Sequence, residues 1–474
     1  MKPSRASRLP RIALVLFAAV VTSAHFGSRD IIYEGPAGPY HIAVLIQPPL
    51  VIPAQATIVV EVHGDAPATV TVQPVRWDLA RENAPLPEPL LQDSGLSRFR
   101  GQVWLMTLGS YRLRVTVHGP RGEGTASIPV PALLGRRPTS GIASSLLLSA
   151  LGIGLAVGTI IVVMSIARDG TRQPGRPANR ADNARAARAG RVSALACIGV
   201  SAIIGIWWFQ LSAGYDRRVF RPYGWNVSLV PQDQSGELRI RLADPRWDRA
   251  AARPIADHGH LIHLFLIRAP SLDVMAHLHP VAVDSFNLKT TLPPLPPGTY
   301  RLFGDLVHAD GVAETLIDSL VVSASPDTTW RPSSLDDSWW SESTAQRDVA
   351  FGWTGPSVAA GNLDNLAFAI TDSDGAPVPH QPFMGMDGHA MVIREDLSVF
   401  AHLHPMGSVS LAAMDRMIGP GEPSVTHPMQ AAPGTLIRFP WVFPRGGHYR
   451  VWGQTRVGGT IVTGMADISV EGAQ

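Results

Sequence analysis

Apolar and polar residues alternate along this chain in short bursts, such as TIVVEVHG at 57–64, ATVTVQPV at 68–75 and SYRLRVTVHG at 110–119. A period of two sends successive side chains to opposite faces, so each burst predicts a strand with one face in a core. Gly and Pro turns punctuate the bursts, and the same texture fills 225–324 and 349–472. The fold class expected is mainly β: three immunoglobulin-like antiparallel β-sandwich domains plus transmembrane helices. The domains span 25–138, 225–324 and 349–472. Between the last two, 325–348 lacks any period and reads as a linker, with Trp339 and Trp340 able to dock on a neighbour. A shared phrase opens a late strand in each domain: GSYRLRV at 109–115, GTYRLFG at 298–304 and GHYRVWG at 447–453. It predicts related domains, most clearly for the last two.

Two stretches break the alternation. Gly141–Ala167 and Val192–Gly214 carry no charged side chain, and each is long enough for a helix to cross ~30 Å of hydrocarbon. Between them, 168–191 holds seven arginines against two aspartates, which by the positive-inside rule faces the cytoplasm. The flanking segments then lie outside the cell membrane. Residues 1–24 have a basic start, an apolar stretch and small residues, the layout of a signal peptide or signal anchor. Cleavage there would leave His25 at an N-terminus able to chelate. Trp207 and Trp208 would sit at the outer interface, and Gly154 and Gly158 form a GxxxG pattern suited to close helix packing.

Composition narrows the chemistry. A net charge of +2 with no basic, aromatic-interleaved stripe excludes nucleic acid as a partner. The lone cysteine, Cys197, lies in an apolar run and reads as a small hydrophobe. Histidine is where the pattern is unusual. The segment DHGHLIHLFLIRAPSLDVMAHLHP at 257–280 holds five, and DGHAMVIREDLSVFAHLHP repeats its ending at 387–405. Folding the second about a turn at 394–397 predicts the pairs Ile393–Ser398, Met391–Phe400 and His389–His402. That places His389, Met391, His402 and His404 on one face. The same arithmetic sets His263 opposite His277, with His279 two residues on. Further donors stand nearby: His258 and His260 in the first copy, Met384, Met386 and Met406 in the second. Seven of the twelve methionines fall between 384 and 429.

Imidazole suits copper, zinc and nickel, and thioether selects Cu(I). Each cluster is therefore a candidate metal site, with copper expected as Cu(I) or Cu(II) and zinc possible. The first set is His258, His260, His263, His277 and His279; the second is Met384, Met386, His389, Met391, His402, His404 and Met406. Asp257 and Asp387 could fix imidazole tautomers from outside the ligand shell. The other histidines, at 41, 63, 118, 308, 380 and 448, read as surface or core groups, and His427 with Met429 as a weak extra pair.

The GHxMxI…D…FAHLHP phrase and the G-x-Y strand resemble the YtkA-like and FixH-type extracytoplasmic β-sandwich domains, and more loosely periplasmic copper chaperones. The resemblance covers about 100 residues in each of the last two domains and is fainter in the first. It implies membrane-tethered copper handling, with a metal-receiving membrane protein such as a terminal oxidase as partner. By the match, His389, Met391, His402 and His404 carry over, as do His263, His277 and His279. Phe265 stands where the second copy has Met391, so the first copy would lack the thioether and differ in oxidation-state preference. No GxSxG, Walker A, HExxH or CxxCH motif occurs, and the expectation is a non-enzyme. Two rival classes stay open: a zinc-dependent hydrolase built on a three-His site, and a metal-free structural or interaction protein on a membrane stalk.

Overall fold

The structure, a computed structural model, describes residues 30–64, 69–79, 83–93, 97–134, 142–219, 223–231, 236–323, 330–343, 349–353, 355, 358–418 and 434–472. The leader at 1–24, His25, and His427 with Met429 lie outside these residues. The fold is mainly β, with six sheets that pair over three cores.

In the first unit the sheet ordered Ile31–Ala37, Tyr40–Gln47, Ala54–His63, Arg98–Leu105, Leu91–Gln92 faces one ordered Glu88–Pro89, Thr69–Arg76, Gly109–Gly119, Gly122–Ala132. The alternation works as the sequence predicts: Ala56, Ile58, Val60 and Val62 point into the core, and Val70, Val72, Val115 and Val117 meet them. In the second unit Trp225–Pro231, Gly236–Leu242, Asn287–Thr291 and Val281–Ala282 form one sheet. Its partner runs Pro254–Ile255, Gly298–His308, His263–Ala269, Val274–Leu278, Ser338–Ser341. In the third, Val349–Trp353, Leu363–Asp372 and Leu436–Val442 face Val358–Ala359, Thr460–Glu471, Gly447–Val457, His389–Arg394, Phe400–Leu403.

The shared G-x-Y phrase has the same job in the last two units. Tyr300 and Tyr449 are buried, and their hydroxyls donate to the carbonyls of Pro296 and Arg445, four residues back. The closing glycine of each phrase admits an aromatic ring from the opposite sheet. A Cβ at Gly304 would lie 2.6 Å from Trp225, and one at Gly453 would overlap Phe351.

The expected linker differs from its reading. Ser338–Ser341 pairs with Val274–Leu278 and completes that sheet's edge, because Trp339 packs on the second unit's core and Trp340 on the interface with the third. The helices also differ in extent. Ile142–Asp169 is one, and Arg180–Val219 is a continuous second one that begins well before the apolar run. Its start is a reciprocal cap: the Asp182 amide donates to Asn179 Oδ1 (2.9 Å) and the Asn179 amide to Asp182 Oδ2 (3.2 Å). The alanine- and arginine-rich sequence behind that cap is a good helix former. Both helices are long and apolar enough to cross a membrane. A Cβ at Gly190 of the second helix would meet Arg168 and Met164 of the first, whereas one at Gly154 or Gly158 would meet nothing within 4 Å. The GxxxG face is thus not what joins these two helices.

The second and third units dock face to face, and this positions the histidines. Along His263–Ala269, Leu264 and Leu266 enter the unit's own core while Phe265 and Ile267 point the other way. Along His389–Arg394, Ala390 and Val392 turn inward while Met391 and Ile393 point outward. The outward sets meet, with Phe303, Phe400, Trp340 and Trp452, in one buried apolar cluster. Phe303 and Phe400 stack at 4.2 Å with 3° between their planes. Each such side chain removed from water contributes about 1.5–3 kcal/mol, so this patch holds the two units together.

Candidate metal centre

The hairpins pair two residues out of the register that the sequence arithmetic gives. Met391 pairs with His402 and Ile393 with Phe400; in the earlier copy Phe265 pairs with His277. The cause is local. The Arg394 amide donates to the Val399 carbonyl, Leu397 takes a left-handed φ of 61°, and Asp396 accepts from the Ser398 amide, so the turn centres on 395–398. A shift of two residues preserves faces. His389, His402 and His404 therefore still share one side, and so do His263, His277 and His279.

That side is the docking face, next to the apolar cluster. Eight imidazoles meet there: His258, His260, His263, His277 and His279 of the second unit, and His389, His402 and His404 of the third. The two clusters expected one per domain are thus a single assembly. His258 leaves its own set and stands 5.1 Å, ring to ring, from both His389 and His404. Two triads have donor nitrogens all within 4.8 Å of one another: His263, His277 and His279, and His258, His389 and His404. His260 lies 4.0 Å from His279, and His402 lies 4.7 Å from His404 and 5.2 Å from His263.

Outer hydrogen bonds fix which nitrogen faces inward in six of the rings. His279 Nδ1 bonds Asp337 (3.1 Å), His404 Nδ1 the Val409 carbonyl (2.9 Å), and His263 Nε2 the Asp257 carbonyl (3.2 Å). His260 Nε2 bonds Asp336 (3.2 Å), whose other oxygen accepts from Arg456 of the third unit. Two bonds cross the interface reciprocally: His277 Nδ1 donates to Gln454 Oε1 (2.8 Å), and His402 Nδ1 bonds Asp305 Oδ2 (3.1 Å). Asp305 and Gln454 are equivalent in the two units, one opposite His263 and the other opposite His389. Gln454 presents its oxygen to His277, with its Nε2 donating to the Ser338 and Thr463 hydroxyls.

These bonds leave bare nitrogens pointing at one another. With the Gln454 amide in this orientation, His263 donates from Nε2 to a carbonyl and His277 from Nδ1 to Gln454, and the 3.3 Å contact between His263 Nδ1 and His277 Nε2 then joins two lone pairs. Two neutral rings cannot hydrogen-bond that way. Two ligands on a tetrahedral ion with ~2.0–2.1 Å bonds stand about 3.3 Å apart, so the contact fits a shared cation. The Nε2 atoms of His279, His402 and His404 and both nitrogens of His389 are buried with no hydrogen-bond partner. Unmet buried polar groups are costly, and five in one place are donors that could hold an ion. Six of the rings are held neutral. Burial, reinforced by the neighbouring imidazoles, holds His263, His277, His279, His389 and His402 well below the usual histidine value and His404 at about 4. Neutral imidazole is the metal-binding form. Desolvation, with the Asp257 charge nearby, pushes Asp305 up to about 7 although a quarter of its side chain is exposed.

Met386, Met391 and Met406 lie among apolar side chains. Met391 lies in the apolar cluster between the units, in the position Phe265 takes on the facing strand. Met386 and Met406 join the first unit's core, where the Met406 carbonyl accepts from the Glu34 amide (2.9 Å). Met384 is half-buried at a turn with φ 51°. Phe265 and Met391 thus fill one apolar place from the two facing strands. Asp257 serves His263 through its carbonyl and caps the helix Leu411–Met417 by accepting from Ala412, while Asp387 pairs with His380. Sequence reasoning missed Asp305, Asp336, Asp337 and Gln454. They lie on a late strand and in the supposed linker, and no spacing ties them to the histidines.

A family model described as a domain of unknown function (DUF8832) matches residues 344–472, the third unit. No curated protein sequence matches the chain. Among solved structures, alpha-2-macroglobulin of Escherichia coli activated by porcine elastase is similar at 11% identity and TM-score 0.16, over 92% of this chain and 33% of that one. The FN1–FN3 domains of chicken CNTN1 are similar at 8% identity and TM-score 0.13, over 90% of this chain and 97% of that one. The chain thus spans about a third of the length of the macroglobulin. At these scores neither structure carries an argument about this chain.

Proposed function

We propose that this protein is a membrane-anchored, extracytoplasmic metal-handling protein whose eight-histidine centre binds copper. The observation that carries the reading is the set of five buried imidazole nitrogens without a hydrogen-bond partner, the Nε2 atoms of His279, His402 and His404 and both nitrogens of His389. Copper is favoured over zinc because divalent copper binds nitrogen donors more tightly, and the argument rests on imidazole alone. Asp305, Asp337 and Gln454 would orient the ligands from outside. The sheet pairs are read as three immunoglobulin-like sandwiches. The helices Ile142–Asp169 and Arg180–Val219 are read as spans joined by an arginine-rich cytoplasmic turn, which puts the centre outside. The protein binds and passes on the ion without catalysis, and a copper-receiving membrane protein such as a terminal oxidase is the partner this predicts.

The test is copper and zinc content of the full chain purified in detergent, followed by competition against a chelator. Retention of up to two copper ions, with one lost when His402 and His404 are both changed to Ala, supports the reading. A protein that takes up neither metal overturns it. Topology is tested separately by single cysteines at Asn183 and Ser373 in a chain lacking Cys197. Only Ser373→Cys should react with an impermeant maleimide on intact cells.

A further inference from the structure

We infer that the two imidazole triads form one two-copper centre, assembled only when the second and third units are docked. The inference rests on the copper reading above and adds nuclearity and dependence on docking. One triad, His263, His277 and His279, belongs wholly to the second unit; the other takes His258 from that unit and His389 and His404 from the third. The triads adjoin: the His258 ring stands 6.0 Å from that of His263 and 5.1 Å from those of His389 and His404. His402 lies between them, 5.2 Å from His263, 5.9 Å from His277, 5.4 Å from His389 and 4.7 Å from His404. Its buried Nε2 has no hydrogen-bond partner and it belongs to neither triad, so it is available to either ion.

The separation of the ions is bounded by these rings. A metal sits about 3 Å from the centre of an imidazole that binds it through a ~2 Å bond, so ions on His258 and His263 lie no more than about 12 Å apart. Two Cu(II) spins that close broaden each other's resonance by dipolar coupling, and a bridging ligand would quench it. The second triad has ligands from both units, so an ion there binds the docked state alone and stabilises it by mass action. The outer bonds require the same docking, since Asp305 orients the facing unit's His402 and Gln454 the facing unit's His277.

The experiment is electron paramagnetic resonance on the full chain in detergent, titrated with Cu(II) to two equivalents, with integrated spins compared to total bound copper. The first equivalent should give a spectrum of isolated ions; the second should broaden it or drop the integrated intensity below the copper content. His258→Ala should keep one copper and show full, unbroadened intensity, with its metal-free melting checked against the parent. Two bound coppers with full intensity and sharp additive spectra in the parent overturn the inference while leaving the copper reading intact. Retention of both coppers by His258→Ala with the parent's broadening overturns it as well. A chain that binds no copper removes both.

Discussion

The turns Asp257–His260 and Phe383–Met386 are the same backbone written with different side chains. In each, the outer residues pair through two amide–carbonyl bonds, and the central pairs, His258–Gly259 and Met384–Gly385, have φ of 51° and 85° against 51° and 79°. Both are two-residue turns that need left-handed residues at each centre. The side chains part company. His258 reaches the third unit's histidines and His260 lies against His279, whereas Met386 is buried against the first unit. The difference follows from what covers each turn. The third unit also carries the first one, through Ser408 Oγ accepting from the Ile32 amide, the Met406 carbonyl accepting from the Glu34 amide, and Arg112 donating to the Met417 carbonyl. A near-symmetric backbone pair thus holds an asymmetric centre, with five imidazoles from one side and three from the other.

That comparison can be broken most directly at His389, whose two ring nitrogens are both without hydrogen bonds. His389→Ala should abolish the second of two coppers in a stoichiometric titration, and undiminished binding of both would remove His389 from the ligand set. A smaller effect is expected at Gln454. Gln454→Leu leaves His277 Nδ1 unpaired and should weaken the triad in the other unit by roughly 10–100-fold, at a stability cost of about 1–3 kcal/mol. Asp387→Asn, altering a residue that pairs with His380 outside the centre, should leave copper affinity unchanged. Equal effects of the two changes would refute the cross-unit orientation.

The pH profile of the metal-free chain sharpens the contrast further. The six depressed histidines bind fewer protons folded than unfolded, so stability rises with pH across the window from about 4 to the unfolded value of ~6.5. Buried carboxyls contribute with opposite sign, Asp305 raised to about 7 and Asp30, Asp310, Asp337 and Asp364 raised by desolvation, but six histidines stand against them and five of those are held well below the usual value. Melting temperature should therefore fall on acidification through that window, and a flat profile would contradict the buried neutral cluster. The smallest effect is expected at the methionines. Met386→Leu is nearly volume-conserving and should cost less than about 1.5 kcal/mol with copper stoichiometry unaltered. Loss of an ion there would restore the thioether to the ligand set.

How much of the centre was legible follows from these same residues. The alternation in HLFLI and HAMVI correctly put His263 beside Phe265 and His389 beside Met391 on one face, and the even slip in register did no harm. The methionine enrichment misled, because a thioether that packs on another domain and one that binds copper look alike in a list of residues.

The sequence by itself determined the period-two strands, the two long apolar helices, the tyrosine anchor of the late strand and the face on which each histidine lies, since these depend on neighbours a few residues away. One further clue was present in it. Strand His263–Ala269 is apolar on both faces, and a strand buried on both sides must be covered by something outside its own sandwich. Only the tertiary structure decided what the cover is. The union of His258 with His389 and His404, and the bonds from Asp305 to His402 and from Gln454 to His277, join positions roughly a hundred residues or more apart. They arise because two apolar faces exclude water against each other, a non-directional force that no local spacing encodes.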